Sequence, residues 1–269
     1  MRHWPQPDMD TEETKSLAKG IGSVPYLNSA PLTFGLEDET EFLPPSQLAK
    51  RLRTGEFAAG LVSLTEVLHH DLYDILDGVA VACDGPVKSV FLAHKKPISE
   101  IEVIDCDTAS LSSVNLLKVI LAHHGLSPRL EPFGDYAQAG ERDAVLLIGN
   151  PGIEFLRRPH RHQILDLGQA WKDATRLPFV FAVWAIRRDH NELGLGPKLL
   201  QAKRAGQAHL DEIIFKRAEF DFELRDAYLR DHIRFDLGDP EKRGIAEFVR
   251  RLRAVTPEPV FEPRFVSAE

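Results

Sequence analysis

Cysteine is scarce in this chain, and the two residues, Cys83 and Cys106, lie in short apolar segments rather than in a spaced framework. That pattern excludes a disulfide-built scaffold and predicts reduced thiols in a core. No run of about 18 apolar residues occurs, so no membrane-spanning helix is expected. The opening residues lack the charged, apolar and small-residue order of a signal peptide, and a cytoplasmic protein is expected. CxxC and HExxH spacings are missing, as are a GxGxxG after a strand, a Walker loop and a GxSxG elbow. Zinc, dinucleotide, nucleoside triphosphate and serine-hydrolase chemistry therefore have no local support. A histidine-based triad scattered along the chain is not excluded by this. Positive charge is also short, with 33 Lys and Arg against 41 Asp and Glu and a formal net charge of -8. Such a balance repels phosphate backbones and anionic lipid, so neither nucleic acid nor membrane is an expected partner. An anionic small molecule must be held by local donors.

What is present is an α/β rhythm. The chain has 269 residues, 43% of them hydrophobic, enough for one large core or two moderate ones. Residues 1–19 are polar and without apolar period, and predict a flexible tail. From Gly20 the segments "GIGSV", "TEFL" and "FAAGLVS" read as strands. "PPSQLAKRLRTGE" reads as a helix capped by Ser46 and ended by Gly55, and "LTEVLHHDLYD" as another helix. "VKSVFLAHKK" reads as a longer strand. A second unit follows with "IEVIDC", the helix after "DTAS" and the apolar run "AVLLIG". "LPFVFAVWAIRRD" has the composition of a doubly covered central strand that returns the chain to the first unit. Helical periods occupy most of the rest. The expected organisation is lobe 1 over 20–94 plus 185–269 and lobe 2 over 95–184, hinged near 93–97 and 183–187. A ligand binds between such lobes. The oligomeric state is left open.

Candidate chemistry is confined to small polar groups. His69 with His70, and His123 with His124, are neighbours that point apart on a helix, and His160 and His162 lie in a basic turn, so no metal site is expected. In "DTASLSSVNLLK", Thr108, Ser110, Ser112 and Ser113 precede a helix whose free amides and dipole favour an anion. Capping by one hydroxyl, with the others solvated, is the competing reading. Asn28 and Ser89 offer an amide and a hydroxyl at strand and turn boundaries, where a short helix cap or an ordinary strand residue are the alternatives. Asp84 and Asp107 are the available carboxylates, and either can instead fix a turn. Trp171 and Trp184 read as core or cleft-wall aromatics. Only one face of the strand that bears Phe179 and Phe181 can reach a cleft.

Taken together, "VPYLNSAPL", "SQLAKRLRTGEFAAGLVS", "DGPVKSVFL", "DTASLSSVNLLK", "AVLLIG" and "LPFVFAVWA", in this order, resemble the chorismate dehydratases of the futalosine route to menaquinone. The resemblance covers most of the chain. It implies an α/β, two-lobed, type II periplasmic-binding-protein-like fold with the ligand cleft between its lobes. It also implies loss of water from chorismate with no metal, nucleotide or redox cofactor. The residues it marks as catalytic are Asn28 and Ser89. Those it marks for substrate binding are Pro25, Tyr26, Ser29, Thr108, Ser110, Ser112, Ser113, Gly149, Asn150 and Phe179. With no obvious general base among them, the substrate's enolpyruvyl carboxylate is the expected base. Two positions depart from the family pattern: Leu111 stands where arginine is frequent, and Asn150 where aspartate is usual. The rivals are a non-catalytic binder of a small anion and the sister 1,4-dihydroxy-6-naphthoate synthase, which typically opens with a cysteine-bearing motif rather than "VPYLNSAP".

Overall fold

The computed structural model describes residues 20–268, so the tail expected over 1–19 lies outside the described residues. Strand β1 (Ile21–Ser23) runs into a 3-10 turn (Leu27–Leu32), then β2 (Thr40–Phe42) and helix α1 (Pro45–Arg53). Proline in the first turn of α1 lacks the N–H that would be unsatisfied there, and basic Lys50, Arg51 and Arg53 face the negative end of the helix. The backbone position before the helix is Pro44, so Ser46 lies inside α1 and is not its cap, contrary to expectation. β3 (Ala59–Ser63), α2 (Leu64–His69) and β4 (Tyr73–Cys83) complete the first pass. α2 is shorter than the expected helix "LTEVLHHDLYD", and the unexpected strand β4 takes up the chain from Tyr73.

The chain then crosses into a second unit. It contains β5 (Val90–His94), β6 (Val103–Asp107), α3 (Leu111–His123), β7 (Arg129–Phe133), β8 (Ala144–Ile148), α4 (Gly149–Arg157) and β9 (Gln163–Asp166). It returns through α5 (Leu167–Thr175) to β10 (Phe179–Arg187). The helices α6 (Leu195–Ala208), α7 (Leu210–Lys216), α8 (Phe222–Ala227) and α9 (Asp239–Leu252) follow, and β11 (Phe265–Val266) ends the fold. A π-helical turn, Tyr228–His232, continues α8.

Two sheets result, a six-stranded one in the order β11-β4-β10-β3-β1-β2 and a five-stranded one in the order β7-β6-β8-β5-β9. β10 runs antiparallel between β3 and β4. Its run "FVFAVWAIR" is buried at seven of nine positions, as a doubly covered strand requires. One apolar cluster, including Val62, Trp184, Cys106 and Leu146, runs through both sheets. Cys83 and Cys106 are free and buried, as the sequence suggested.

The strand memberships correct the expected boundaries. Val90–His94, assigned to lobe 1, pairs antiparallel with β8 and β9 of the second sheet. Phe179 and Val180, assigned to lobe 2, pair with Cys83 and Ala82 of the first. The crossings therefore fall at 84–89 and 167–178. A turn precedes the first crossing strand, and apolar content alone does not say which sheet that strand joins. The Asp166 carboxylate ties the two crossings together: it accepts from the amides of Val87 (3.1 Å) and Lys88 (2.8 Å) and caps α5 through Gln169 N–H (3.0 Å).

Candidate active site

A cavity of about 270 Å³ opens between the two sheets. Its first-lobe wall includes Tyr26 and Asn28 from the turn after β1, Ser46 and Arg53 from α1, Ser63 and Glu66 around the β3–α2 junction, and Phe181 from β10. Val87 and Ser89 enter from the first crossing. The second lobe supplies Asp107, Thr108, Ser110, Leu111, Ser113, Tyr136 and Gly149.

Asn28 and Ser89 meet on a residue that the sequence reading did not single out. Asn28 Nδ2 donates to the Tyr228 hydroxyl (3.2 Å), which also shares a hydrogen bond with Ser89 Oγ (2.9 Å). Tyr228 is buried, and burial pushes its phenol up to about 12, so it stays neutral and can serve both partners. The turn carrying Asn28 is held from behind by α6: a Cβ at Gly206 would lie 2.0 Å from the Pro31 carbonyl oxygen. Only glycine permits that approach. Ser29 acts within the turn, where its hydroxyl donates to the carbonyls of Val24 (2.5 Å) and Tyr26 (2.7 Å). Neither Asn28 nor Ser29 caps the 3-10 turn.

The opposite wall is the start of α3. Ser110 is its N-cap, accepting from Ser113 N–H at 3.4 Å, so one hydroxyl of the cluster does cap. Ser112 is buried and reaches across to the first lobe. Its hydroxyl lies 2.7 Å from Ser63 Oγ and accepts from Thr65 N–H at 3.0 Å. Within the cluster Ser110 caps the helix, Ser112 ties the lobes, and Thr108, Ser110 and Ser113 line the cavity.

Asp107 is buried at the cavity edge. Ala109 N–H donates to its Oδ1 at 2.8 Å, whereas Oδ2 has no hydrogen bond among the described residues, although the Tyr136 phenol and the Ile148 amide lie near enough to favour its charged form. Burial outweighs these donors and raises the carboxyl above the ordinary carboxylate range. Tyr136 is pushed up to about 12, chiefly by burial and then by Asp107, and Tyr26 is raised by the same two causes. Asp84, the other carboxylate considered from sequence, forms an ion pair with Lys172 and is not on the cavity wall.

Of the residues marked from sequence, Tyr26, Asn28, Ser89, Thr108, Ser110, Ser113 and Gly149 line the cavity. Pro25, Ser29, Ser112, Asn150 and Phe179 do not. Pro25 is exposed, and Asn150 lies in the first turn of α4. Phe179 is buried edge-on against Trp171 and Phe248, and it is Phe181, two residues on, that reaches the cleft. Arg53, Glu66, Tyr136 and Tyr228 were missed. Among the described residues no group of three or more His, Cys, Asp or Glu side chains could hold a metal ion. No described helix is long and apolar enough to cross a membrane.

Comparison with known proteins places this site in context. A family model described as menaquinone biosynthesis matches residues 20–254. The chorismate dehydratase of Thermus thermophilus is 33% identical over 256 residues, covering 86% of this chain and 94% of that protein. Among solved structures, an Archaeoglobus fulgidus protein superposes with a TM-score of 0.70 at 19% identity, covering 87% of this chain and 96% of that one. The periplasmic aliphatic sulphonate binding protein SsuA of Escherichia coli gives 0.59 at 16% identity, with 92% of each chain covered. These two likenesses establish the two-lobed binding-protein fold.

Proposed function

This chain belongs to the menaquinone biosynthesis family, and from that premise we propose that it is a chorismate dehydratase, a hydro-lyase that converts chorismate into 3-(1-carboxyvinyloxy)benzoate and water. The observation that carries the reading to the residue level is the convergence of Asn28 and Ser89 on the Tyr228 hydroxyl at the wall of a cleft between lobes. Free buried thiols support a reducing, cytoplasmic setting.

The reaction breaks the C–H bond at the ring carbon bearing the enolpyruvyl ether, and its electron pair becomes a ring double bond as the adjacent hydroxyl departs. Aromatisation supplies the driving force, and the barrier lies in the proton removal. The enolpyruvyl carboxylate, tethered beside that C–H, takes the proton, while Asn28 and Ser89 hold it in line. Their tie to Tyr228 fixes both donors before substrate arrives, so little reorganisation is left for the transition state. The ring carboxylate sits at the start of α3, where the hydroxyls of Thr108 and Ser110 face the cavity and the helix dipole favours an anion. Asp107, on the cavity wall with its carboxyl raised by burial, hands a proton to the departing hydroxyl.

Replacing Asn28 or Ser89 by alanine tests the assignment. Loss of one aligned donor is expected to lower turnover on the order of 100-fold while the fold is retained. Full turnover in both variants contradicts it. A non-catalytic binder has no observation in its favour beyond the shared fold.

A further inference from the structure

We propose that Arg53 is the cation that recognises the ring carboxylate, held in place by Glu66. The inference rests on the chorismate reading, because it concerns a ligand with two carboxylates. The cavity wall carries two acidic side chains, Glu66 and Asp107, and among the described residues Arg53 is its one Lys or Arg. A dianion entering that space needs a positive charge to answer it.

Arg53 has donors to spare. Its Nε and Nη2 donate to the two oxygens of Glu66 at 3.1 and 3.4 Å, and no hydrogen bond from its Nη1 occurs among the described residues. Glu66 is fully buried and does not answer Arg53 alone. Its Oε1 also accepts from the Tyr73 hydroxyl at 3.2 Å and lies 3.3 Å from His70 Nδ1. The buried carboxylate, held also by the Tyr73 hydroxyl, fixes the guanidinium plane so that the remaining N–H groups are presented as a fork. Glu66 is thus a positioning residue.

The fold brings this fork to the start of α3. Ser63, which precedes α2, meets Ser112 of α3, and Glu66 stands one residue beyond Thr65, whose amide donates to the same Ser112 hydroxyl. Leu111, 42% exposed on the cavity wall, offers no charge of its own at that helix start. The two lobes together make the subsite: hydroxyls at the start of α3 and the guanidinium from α1.

The test compares two stable probes, 3-(carboxymethoxy)benzoate and phenoxyacetate, which differ by the ring carboxylate, binding to the full chain by calorimetry. The wild type is expected to favour the dicarboxylate, and Arg53→Ala to lose about 10- to 100-fold of that preference while its affinity for phenoxyacetate holds. In turnover of chorismate the same variant raises KM far more than it lowers kcat. Arg53→Lys, which keeps the charge and loses the fork, is expected to fall between the two, and it decides the question if the alanine variant does not fold. An undiminished preference in the folded variants, or no preference in the wild type, overturns the subsite. Wild-type turnover of chorismate, measured in parallel, reports separately on the dehydratase reading.

Discussion

Ser89 and Tyr228, 139 residues apart in the chain, share a hydrogen bond of 2.9 Å between their hydroxyls at the wall of the cleft. Because Asn28 donates to the same phenol, Tyr228 positions both proposed substrate-holding groups. Tyr228→Phe keeps the ring and removes the shared partner. Both hydrogen bonds to the hydroxyl are lost, and the expected result is a fall in kcat of about 10- to 100-fold, with KM changed far less. Equal kcat in the two proteins contradicts the positioning role.

Asp107 links activity to acidity. Its carboxyl is raised by burial in the folded protein and ordinary in the unfolded one, so between the two values the folded state binds more protons and stability falls as pH rises. The penalty is fully present above the folded value and absent below the unfolded one. Asp107→Asn is therefore expected to raise the thermal midpoint at neutral pH, with the gain vanishing near about pH 3. Its turnover is expected to drop on the order of 100-fold through loss of the acid. An asparagine variant less stable than wild type at pH 7 contradicts the burial argument.

One side chain, Asp166, accepts from the amides of both crossings, and Ser89 immediately follows the two residues it holds in the first. Asp166→Ala removes the acceptor of three backbone amides. Urea unfolding is expected to show a loss of about 2 kcal/mol, from a lost cap and lost charge-assisted hydrogen bonds. A loss below the scatter of the measurement argues that water replaces the carboxylate at no cost.

Behind the Asn28 turn, the Gly206 contact leaves no room for a methyl group. Gly206→Ala is expected to cost about 2–3 kcal/mol and to lower turnover by displacing the turn. Wild-type stability and rate in this variant mean that α6 can retreat without moving Asn28.

The strand and helix rhythm was legible because period and composition are local: β3, β6, β8 and β10 stand where their apolar runs lie. β4 was missed because Asp77 and Gly78 interrupt its apolar run and its start reads as a continuation of α2. The sheet joined by β5 is a long-range choice that no local period records. The same limit governs the site. Asn28, Ser89 and the α3 start stood out as polar groups at element ends, whereas Tyr228 sits inside an amphipathic period and Arg53 and Glu66 look like ordinary helix residues. What unites them is a meeting across lobes. Phe179 and Phe181 lie on the same side of β10, and sequence spacing could not tell which one the core would enclose.

Incubation of the purified protein with chorismate, followed by ultraviolet spectrum and product mass, tests the central claim most directly. The account predicts a product lighter by one water, with the spectrum of an enolpyruvyl ether of hydroxybenzoate, and its near-disappearance in Asn28→Ala. Chorismate recovered unchanged, with saturable thermal stabilisation of the protein, would contradict the dehydratase reading and leave a binder in its place.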